Sequence, residues 1–248
     1  MKVISSKSDI LNQDFIACGF RFITSEYYMS KENLASLHDL KKLFDTELEE
    51  DGLVYRKRAY LKLCWNKLND LITVPMNQVY YQTPQSNKVD GGHVRQFKGM
   101  HAKVLEIPIV KSIITKNLKM LRHYQPLKMD KYLTVGLHFI RYEVSESGAS
   151  YSSPDWLHQD DEPLVFIHLI HLSRYALGGD NLIADSSSQK ITHVVRLENE
   201  IDTLVLNKNV YHAVTPLGSR KGVASRDVIL FTVEPQYSQQ CEMETICA

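Results

Sequence analysis

Apolar residues recur at three- and four-residue spacing in two stretches of the first half of the chain. The first stretch follows Ser30, a favourable N-cap residue, and extends from Leu34 to Leu48. The second runs from Ile107 to Leu121, where Pro108 is tolerated because it falls in the first helical turn. Both patterns predict helices, so we expect residues from about 1 to 125 to form a mixed region with a helical character.

The pattern changes near residue 130, where the apolar segments become short and strand-like. Turn signals such as Gly178-Gly179-Asp180 and Pro216-Leu217-Gly218 separate them. Many short strands with close turns are typical of a β-sandwich or barrel, here over about 130–236. Because no Pro/Gly/Ser-rich linker separates the two halves, we expect one domain over 1–248. The predicted strands are Tyr132–Val144, Leu164–Leu172, Leu182–Asp185, Ile191–Leu197, Thr203–Leu206, Tyr211–Val214 and Arg226–Glu234.

The composition argues against several classes of partner. Among 248 residues, 29 Lys and Arg balance 29 Asp and Glu, so the formal net charge is zero. Such a chain offers no electrostatic footprint for nucleic acid or an anionic membrane. No apolar run approaches the roughly 20 residues of a membrane span, and the N-terminus has no signal-peptide pattern. We expect a cytoplasmic protein without nucleic-acid or membrane partners, and a homo-oligomer remains possible.

Candidate chemistry begins at His158 and Asp160. Alternate side chains of a strand share a face, so these two can bind one metal ion. His212, on a later predicted strand, is the best candidate for a third ligand. A His-x-Asp followed at a distance by His is the facial triad of non-haem Fe(II) oxygenases. The chain has ten histidines, so this spacing by itself is weak evidence, and a solvated pair on a surface loop is the alternative.

Arg226 strengthens this interpretation because it opens the predicted strand that follows His212. A 2-oxoglutarate oxygenase holds the distal carboxylate of its co-substrate with a basic residue at this place. The planar guanidinium suits the task, since it can donate two parallel hydrogen bonds to a carboxylate. The alternative is a surface arginine paired with Asp227. Gly178-Gly179, between the two histidines, is by itself a hairpin turn.

Six segments form a pattern that is more specific than the triad spacing. They are GGHVRQF (91–97), VGLHFIRY (135–142), SSPDWLHQDDEP (152–163), GGDNLIA (178–184), YHAVTPLG (211–218) and RDVILFTV (226–233). Through these segments the chain, from about residue 15 to 235, resembles the bacterial Fe(II)/2-oxoglutarate-dependent dioxygenases of free amino acids, the L-isoleucine 4-hydroxylase family.

The resemblance implies a mainly β fold with α: a double-stranded β-helix (jelly-roll, cupin-like) core with an N-terminal helical region packed on it. It implies iron ligands at His158, Asp160 and His212, and 2-oxoglutarate binding at Arg226. Fe(II) would be the cofactor, with 2-oxoglutarate and O₂ as co-substrates. The implied reaction hydroxylates an aliphatic free L-amino acid of the isoleucine, leucine or methionine type and releases succinate and CO₂. Many members of the wider superfamily carry Ser or Thr two residues after the arginine, where this chain has Val228.

An amino-acid substrate is a zwitterion, and a dry pocket must supply a cation for its carboxylate and an acceptor for its ammonium group. The predicted strand 132–144 carries Arg141 on one face and His138 on the other, and only one of the two faces can line the pocket. For the arginines, an ion pair that fixes the N-terminal region to the sandwich is the alternative. The candidates are Arg141, Arg95 and Arg58 for the cation, Asp161 and Glu162 for the anion, and Trp156 and His138 for further substrate contacts.

Other functions remain open at this point. The same oxygenase chemistry could act on a peptide or on another small metabolite. A non-catalytic cupin-type metal-binding module and a zinc hydrolase are also compatible with the triad, although neither needs an anchor for 2-oxoglutarate. The sequence does not choose among isoleucine, leucine and methionine, because pocket shape separates such side chains by about 1–3 kcal/mol per methylene.

Overall fold

The computed structural model describes residues 10–84, 91–152 and 156–234. Among these residues, no helix combines the length and the apolar character that crossing a bilayer requires. The α-helices are α1 (Gln13–Cys18), α2 (Lys31–Leu34), α3 (Ser36–Thr46) and α4 (Pro108–His123). The strands are β1 (Phe20–Ile23), β2 (Glu49–Glu50), β3 (Arg56–Asn66), β4 (Leu71–Thr73), β5 (Tyr80–Tyr81), β6 (Val94–Arg95), β7 (Tyr132–Val144), β8 (Leu164–Leu172), β9 (Ala176–Leu177), β10 (Asn181–Ala184), β11 (Ile191–Val195), β12 (Thr203–Asn207), β13 (Tyr211–Val214), β14 (Gly218–Ser219) and β15 (Ala224–Val233).

An eight-stranded antiparallel sheet is the framework of the fold. Seven strands follow the order β1-β12-β8-β15-β7-β3-β2, and β4 also pairs with β3. The helices pack on one face of this sheet, where they form one apolar core with it. The three-stranded sheet β11-β10-β13 shares a second apolar core with the other face. The predicted helical region packed on a β-sandwich is thereby confirmed.

The central strand β7 shows how one segment serves both cores. Its residues Val135, Leu137 and Phe139 face the helices, whereas Ile140 and Tyr142 face the smaller sheet. Because both faces are covered, the segment is a nearly continuous apolar run rather than an alternating one. It is observed with its predicted bounds, as are β8 and β13.

The predicted helices are present with adjusted bounds. Ser30 caps α2, and its hydroxyl accepts a hydrogen bond from the backbone N–H of Asn33 in a capping box. The chain then continues as the separate helix α3, which ends at Thr46, so Leu48 lies beyond it. The second predicted helix is α4, which begins at Pro108.

The long strand β3 was not expected in the N-terminal half. Its charged residues Arg56, Arg58 and Lys62 suggest exposed loop, yet all three are buried. They are tolerated because Asp51 pairs with both arginines and Glu234 pairs with the lysine. The mixed N-terminal region therefore contributes a strand to the main sheet, next to β7.

A buried hydrogen-bonded cluster fixes α4 to the main sheet. The Tyr28 hydroxyl donates to Asn117 Oδ1 at 2.8 Å, and the Asn117 amide lies 3.0 Å from His168 Nε2. His168 Nδ1 in turn lies 2.7 Å from the Thr203 hydroxyl. Burial lowers the pKa of His168 to about 3, so its ring stays neutral. Each member of the cluster satisfies its neighbour away from water.

Replacing Asn117 with alanine is expected to lower the free energy of unfolding by about 2–4 kcal/mol, because two buried polar partners lose their hydrogen bonds. Chemical unfolding monitored by circular dichroism measures the loss. Lys119→Ala, on the exposed side of the same helix, is the control. Equal unfolding midpoints for the two variants would show that the cluster does not stabilise the fold.

Candidate metal centre and substrate cavity

The three predicted metal ligands converge in the structure. Ligand atoms of His158, Asp160 and His212 lie within 4.8 Å of one another. One carboxylate oxygen of Asp160 is 3.6 Å from His158 Nε2, and the other is 3.4 Å from His212 Nε2. A cation among them would receive two imidazole nitrogens and one carboxylate oxygen, which is the facial-triad donor set for Fe(II).

The backbone positions the two histidines. His158 and His212 form an antiparallel bridge in which each N–H donates to the other's carbonyl, at 3.0 and 2.9 Å. Directly opposed residues of such a pair project to the same side, and here the two ring centroids are 4.4 Å apart. Strand β13 is itself held by β10, where Ile183 is the register partner of His212.

Burial also sets the protonation of His212. Desolvation lowers its pKa below the ordinary value, and the nearby Asp160 carboxylate only partly offsets this effect. The neutral imidazole is the form that binds a metal ion. The donor set, its charge and the protonation of His212 therefore fit Fe(II).

A cavity of about 410 Å³ opens on the three ligands. One part of its wall is apolar and the rest carries opposite charges, so the cavity suits a small ligand with an aliphatic part and ionised groups. The apolar side chains are Leu53, Val165, Ile167, Val214, Val228 and Leu230. The charged side chains besides the metal ligands are Asp51, Arg56, Arg58, Arg95, Glu162 and Arg226.

Arg226 lines this cavity from the beginning of β15 and is only 3% exposed. Its Cζ is 5.9 Å from the ring centroid of Tyr142, and its Nη2 forms no hydrogen bond with any residue that the structure describes. Burial lowers its pKa from the ordinary value, although a guanidinium remains protonated at neutral pH. A buried cation without a carboxylate partner in the described ranges is suited to an anionic ligand.

The turn Gly178-Gly179 makes room for Arg226. Both residues have positive φ, at 69° and 73°. A Cβ on Gly179 would lie 3.0 Å from Cδ of Arg226, and one on Gly178 would lie 2.0 Å from the carbonyl oxygen of Pro216. Glycine is therefore required both for the backbone conformation and for the close approach. Val228, also in the cavity wall, offers no hydrogen-bond donor, whereas the Tyr142 hydroxyl beside Arg226 does.

Two of the three predicted substrate arginines also line the cavity. Arg58 Nε lies 3.1 Å from Asp51, and the Arg58 guanidinium is 4.5 Å above the ring of Phe97. Arg95 lies 4.9 Å above the ring of Tyr80. Burial and a neighbouring arginine lower the pKa of Arg58 to about 10, so it remains charged at neutral pH.

Glu162 supplies a buried carboxyl group on the same cavity. It is 2% exposed, and the Tyr80 hydroxyl donates to its Oε1 at 2.5 Å. Its Oε2 accepts no hydrogen bond from the described residues. Burial, together with the Asp160 carboxylate, raises the pKa of Glu162 to about 8. Positive charge bound beside it, from a metal or an ammonium group, would favour its ionised form.

Arg141, a predicted substrate contact, does not line the cavity, because its side chain leaves the sheet on the opposite face. It donates two hydrogen bonds to Asp227, both 2.7 Å, and one to Asp45 of α3 at 2.6 Å. This is the ion pair that fixes the N-terminal region to the sandwich. Within the described residues, His138 is the candidate of this strand that lines the cavity.

His138 is enclosed by aromatic rings. Its ring centroid lies 4.6 Å from that of Tyr60 and 4.7 Å from that of Tyr80. Burial and the nearby arginines hold its pKa well below the usual range, so it is neutral. It can contribute shape to the cavity wall but no charge.

Asp161 and Trp156, which are also predicted substrate contacts, do not line the cavity either. Asp161 is not among the described residues that line the cavity; its carboxylate accepts hydrogen bonds from the backbone N–H and the hydroxyl of Thr83. Trp156 is 55% exposed and, among the described side chains, does not belong to the wall. Alternation accounts for Asp161, which points away between the inward-pointing Asp160 and Glu162. Trp156 has the same parity as those two, but it lies in a bend before the first metal ligand, where strand alternation does not apply.

Sequence reasoning missed Asp51, Arg56 and Tyr80 as cavity residues. Both carboxylate oxygens of Asp51 accept hydrogen bonds from Nε of Arg56, and Asp51 also pairs with Arg58. Asp51 therefore sets the position of both guanidinium groups. The available signal was the alternation of Arg56 with Arg58, which predicts two cations on one strand face. Tyr80 had no such signal, because its contact with Glu162 joins residues far apart in the chain.

Comparisons with known proteins agree with this geometry. The model of the 2OG-Fe dioxygenase family matches residues 38–232. The chain is 37% identical over 222 residues to an L-isoleucine-4-hydroxylase of Bacillus thuringiensis, covering 88% of this chain and 92% of that relative. It is 36% identical over 241 residues to a 3(1)-hydroxy-L-isoleucine 4-dioxygenase of Pantoea ananatis (strain AJ13355), covering 92% and 95%. The crystal structure of IDO from Bacillus thuringiensis superposes with a TM-score of 0.81 at 33% identity, covering 91% of this chain and 97% of the other.

Proposed function

The chain belongs to the 2OG-Fe dioxygenase family, whose fold is a double-stranded β-helix, and we propose that it hydroxylates a free aliphatic L-amino acid. The family uses Fe(II), 2-oxoglutarate and O₂. We assign the iron to His158, Asp160 and His212, and the distal carboxylate of 2-oxoglutarate to Arg226. The proposal rests on one observation: a single cavity contains the triad, Arg226 and the oppositely charged side chains of Arg58 and Glu162.

Bound iron would supply the oxygen chemistry, in which 2-oxoglutarate is converted to succinate and CO₂ while the substrate gains a hydroxyl group. The protein supplies binding, orientation and exclusion of water. Arg226 fixes one end of 2-oxoglutarate by charge-assisted hydrogen bonds, and the Tyr142 hydroxyl beside it is the second donor that we propose.

The charged groups support a zwitterionic substrate. We assign its carboxylate to Arg58, with Arg95 beside it, and its ammonium group to Glu162. Glu162 is buried and its Oε2 accepts no hydrogen bond from the described residues, so a substrate without an ammonium group would leave it uncompensated. Arg58 shares its partner Asp51 with Arg56, so the two buried guanidinium groups together carry more charge than Asp51 balances, which favours an anionic group on the substrate. This arrangement favours a free amino acid over a peptide, in which one or both charges are absent.

The apolar part of the wall supports an aliphatic side chain. Val165, Ile167, Val228 and Leu230 line the cavity together with the metal ligands. The relative from Bacillus thuringiensis is named for L-isoleucine and that from Pantoea ananatis for a hydroxylated isoleucine. L-Isoleucine and its hydroxylated form are therefore the first substrates to test, followed by leucine and methionine.

The Fe(II)-loaded protein is expected to form succinate in step with a hydroxylated product when it receives 2-oxoglutarate, O₂ and L-isoleucine. We expect kcat/KM for N-acetyl-L-isoleucine to be about 100-fold or more below that for L-isoleucine, because the acetylated compound offers Glu162 no ammonium group. Succinate assays and product masses measure both effects, and the KM for 2-oxoglutarate is the internal control.

Preference for the N-acetylated compound would favour the peptide alternative. Succinate formation that no amino acid stimulates would favour another metabolite. Absence of succinate with iron bound would support the non-catalytic metal-binding module. The cytoplasmic location, the absence of nucleic-acid and membrane partners and a possible homo-oligomer stay predictions.

A further inference from the structure

Tyr80 contacts two of the charged side chains that we assign to recognition of the amino-acid substrate, Glu162 and Arg95. Its hydroxyl donates to Glu162, and its ring lies beneath the guanidinium of Arg95. Tyr80 and Arg95 are register partners in the β5-β6 pair. One side chain therefore lies between the proposed ammonium site and a cation of the proposed carboxylate site.

Strand β5 and Thr83, which follows it, are hydrogen-bonded to the segment that carries a metal ligand. Thr83 donates to Asp161 from its backbone and from its hydroxyl, and Tyr80 donates to Glu162. Asp161 and Glu162 directly follow the metal ligand Asp160. These hydrogen bonds thus hold Glu162 on the same cavity wall as the metal ligand Asp160.

We propose that Tyr80 is a positioning residue for substrate recognition: it orients Glu162 toward the substrate ammonium group and supports Arg95 near the substrate carboxylate. This inference rests on the proposed function, because it concerns the same amino-acid site. The hydroxyl occupies Oε1 of Glu162 and leaves Oε2, which no described residue contacts by a hydrogen bond, for the ligand. A tyrosine serves both tasks, since its ring binds a cation while its hydroxyl donates at the edge.

Enclosure of the ring explains why this orientation is fixed. Tyr80 is 4% exposed, and its ring centroid lies 5.8 Å from that of Tyr60 and 6.0 Å from that of Phe97. A side chain locked by such contacts loses little entropy when the substrate binds. The hydroxyl therefore acts on Glu162 from a fixed point.

The test compares Tyr80→Phe with the unmodified enzyme on two probes. L-Isoleucine carries the ammonium group, whereas 2-hydroxy-3-methylpentanoate has a hydroxyl in its place. Tyr80→Phe keeps the ring and removes the hydroxyl, so we expect the KM for L-isoleucine to rise about tenfold with a smaller change in kcat. The KM for the hydroxy acid and the KM for 2-oxoglutarate should stay within about twofold. If Tyr80 served only the stability of the fold, its replacement would not raise the KM for L-isoleucine more than the KM for the hydroxy acid.

Two further variants make the result specific. Tyr81→Phe removes a hydroxyl from the next residue of the strand, whose side chain is half-exposed, and is expected to leave the KM for L-isoleucine unchanged. In a Glu162→Gln background, Tyr80→Phe should add little, because both changes affect the same contact. An unchanged KM for L-isoleucine in Tyr80→Phe, or an equal rise for both probes, would overturn the role of Tyr80 alone. If the unmodified enzyme uses the hydroxy acid as well as L-isoleucine, or neither, the proposed amino-acid site fails and the Tyr80 assignment fails with it.

Discussion

Replacing Asp160 with alanine is expected to abolish coupled succinate formation, with a loss on the order of 1000-fold or more. The carboxylate is the only anionic group of the triad and lies within 3.6 Å of both histidine Nε2 atoms. Without it, only two imidazole nitrogens remain as ligands, and these hold Fe(II) weakly and leave its charge uncompensated. A loss of about 4 kcal/mol of stabilisation at the reacting centre corresponds to about three powers of ten in rate. Iron content after anaerobic loading and succinate formation are the two measurements.

The fold should survive this change, because Asp160 is not part of either apolar core. The unfolding midpoint of Asp160→Ala is therefore expected to stay close to that of the unmodified protein. His193→Ala, at an exposed histidine of β11, is the control for loss of a metal-binding side chain elsewhere. Full activity of Asp160→Ala with normal iron content would remove Asp160 from the ligand set.

The metal ligands could be predicted only in part from strand patterns, because His158 and Asp160 lie between β7 and β8, outside the strands of the described residues. His212 belongs to β13, whose bounds the sequence predicts, and the two-residue period relates His158 to Asp160. The cross-strand bridge that joins His158 to His212 is a tertiary contact, and no local pattern encodes it. The resemblance supplied this pairing, and the structure gives its geometry.

The substrate side of the cavity was harder to predict, because it depends on buried charges. A strand with several Arg and Lys residues has the composition of an exposed segment, yet β3 carries them inside the protein opposite Asp51 and Glu234. Arg141 illustrates the opposite error. It looks like a substrate contact by position, but it is already satisfied by Asp227 and Asp45. Which cation is free for a ligand is decided by the location of its partners, and sequence spacing does not contain that information.

Replacing Arg226 with glutamine is expected to raise the KM for 2-oxoglutarate by about 100-fold, with a smaller effect on the KM for the amino acid. The guanidinium is buried, and removing one member of a buried charge pair costs about 2–5 kcal/mol, or about 30- to 5000-fold in affinity. Glutamine keeps a donor but removes the charge and the two-pronged geometry. Initial rates at varied 2-oxoglutarate concentration measure the change.

A co-substrate without the distal carboxylate separates this role from a general defect. 2-Oxovalerate lacks that group, so the unmodified enzyme should use it poorly, while Arg226→Gln should discriminate between the two oxo acids far less. Arg220→Gln, which removes an exposed arginine shortly before β15, is the matched control and should leave both KM values unchanged. If Arg226→Gln kept the full preference for 2-oxoglutarate, another cation of the cavity would have to bind its distal carboxylate. The buried guanidinium would then serve the fold through its contact with Tyr142 and the Gly178-Gly179 turn.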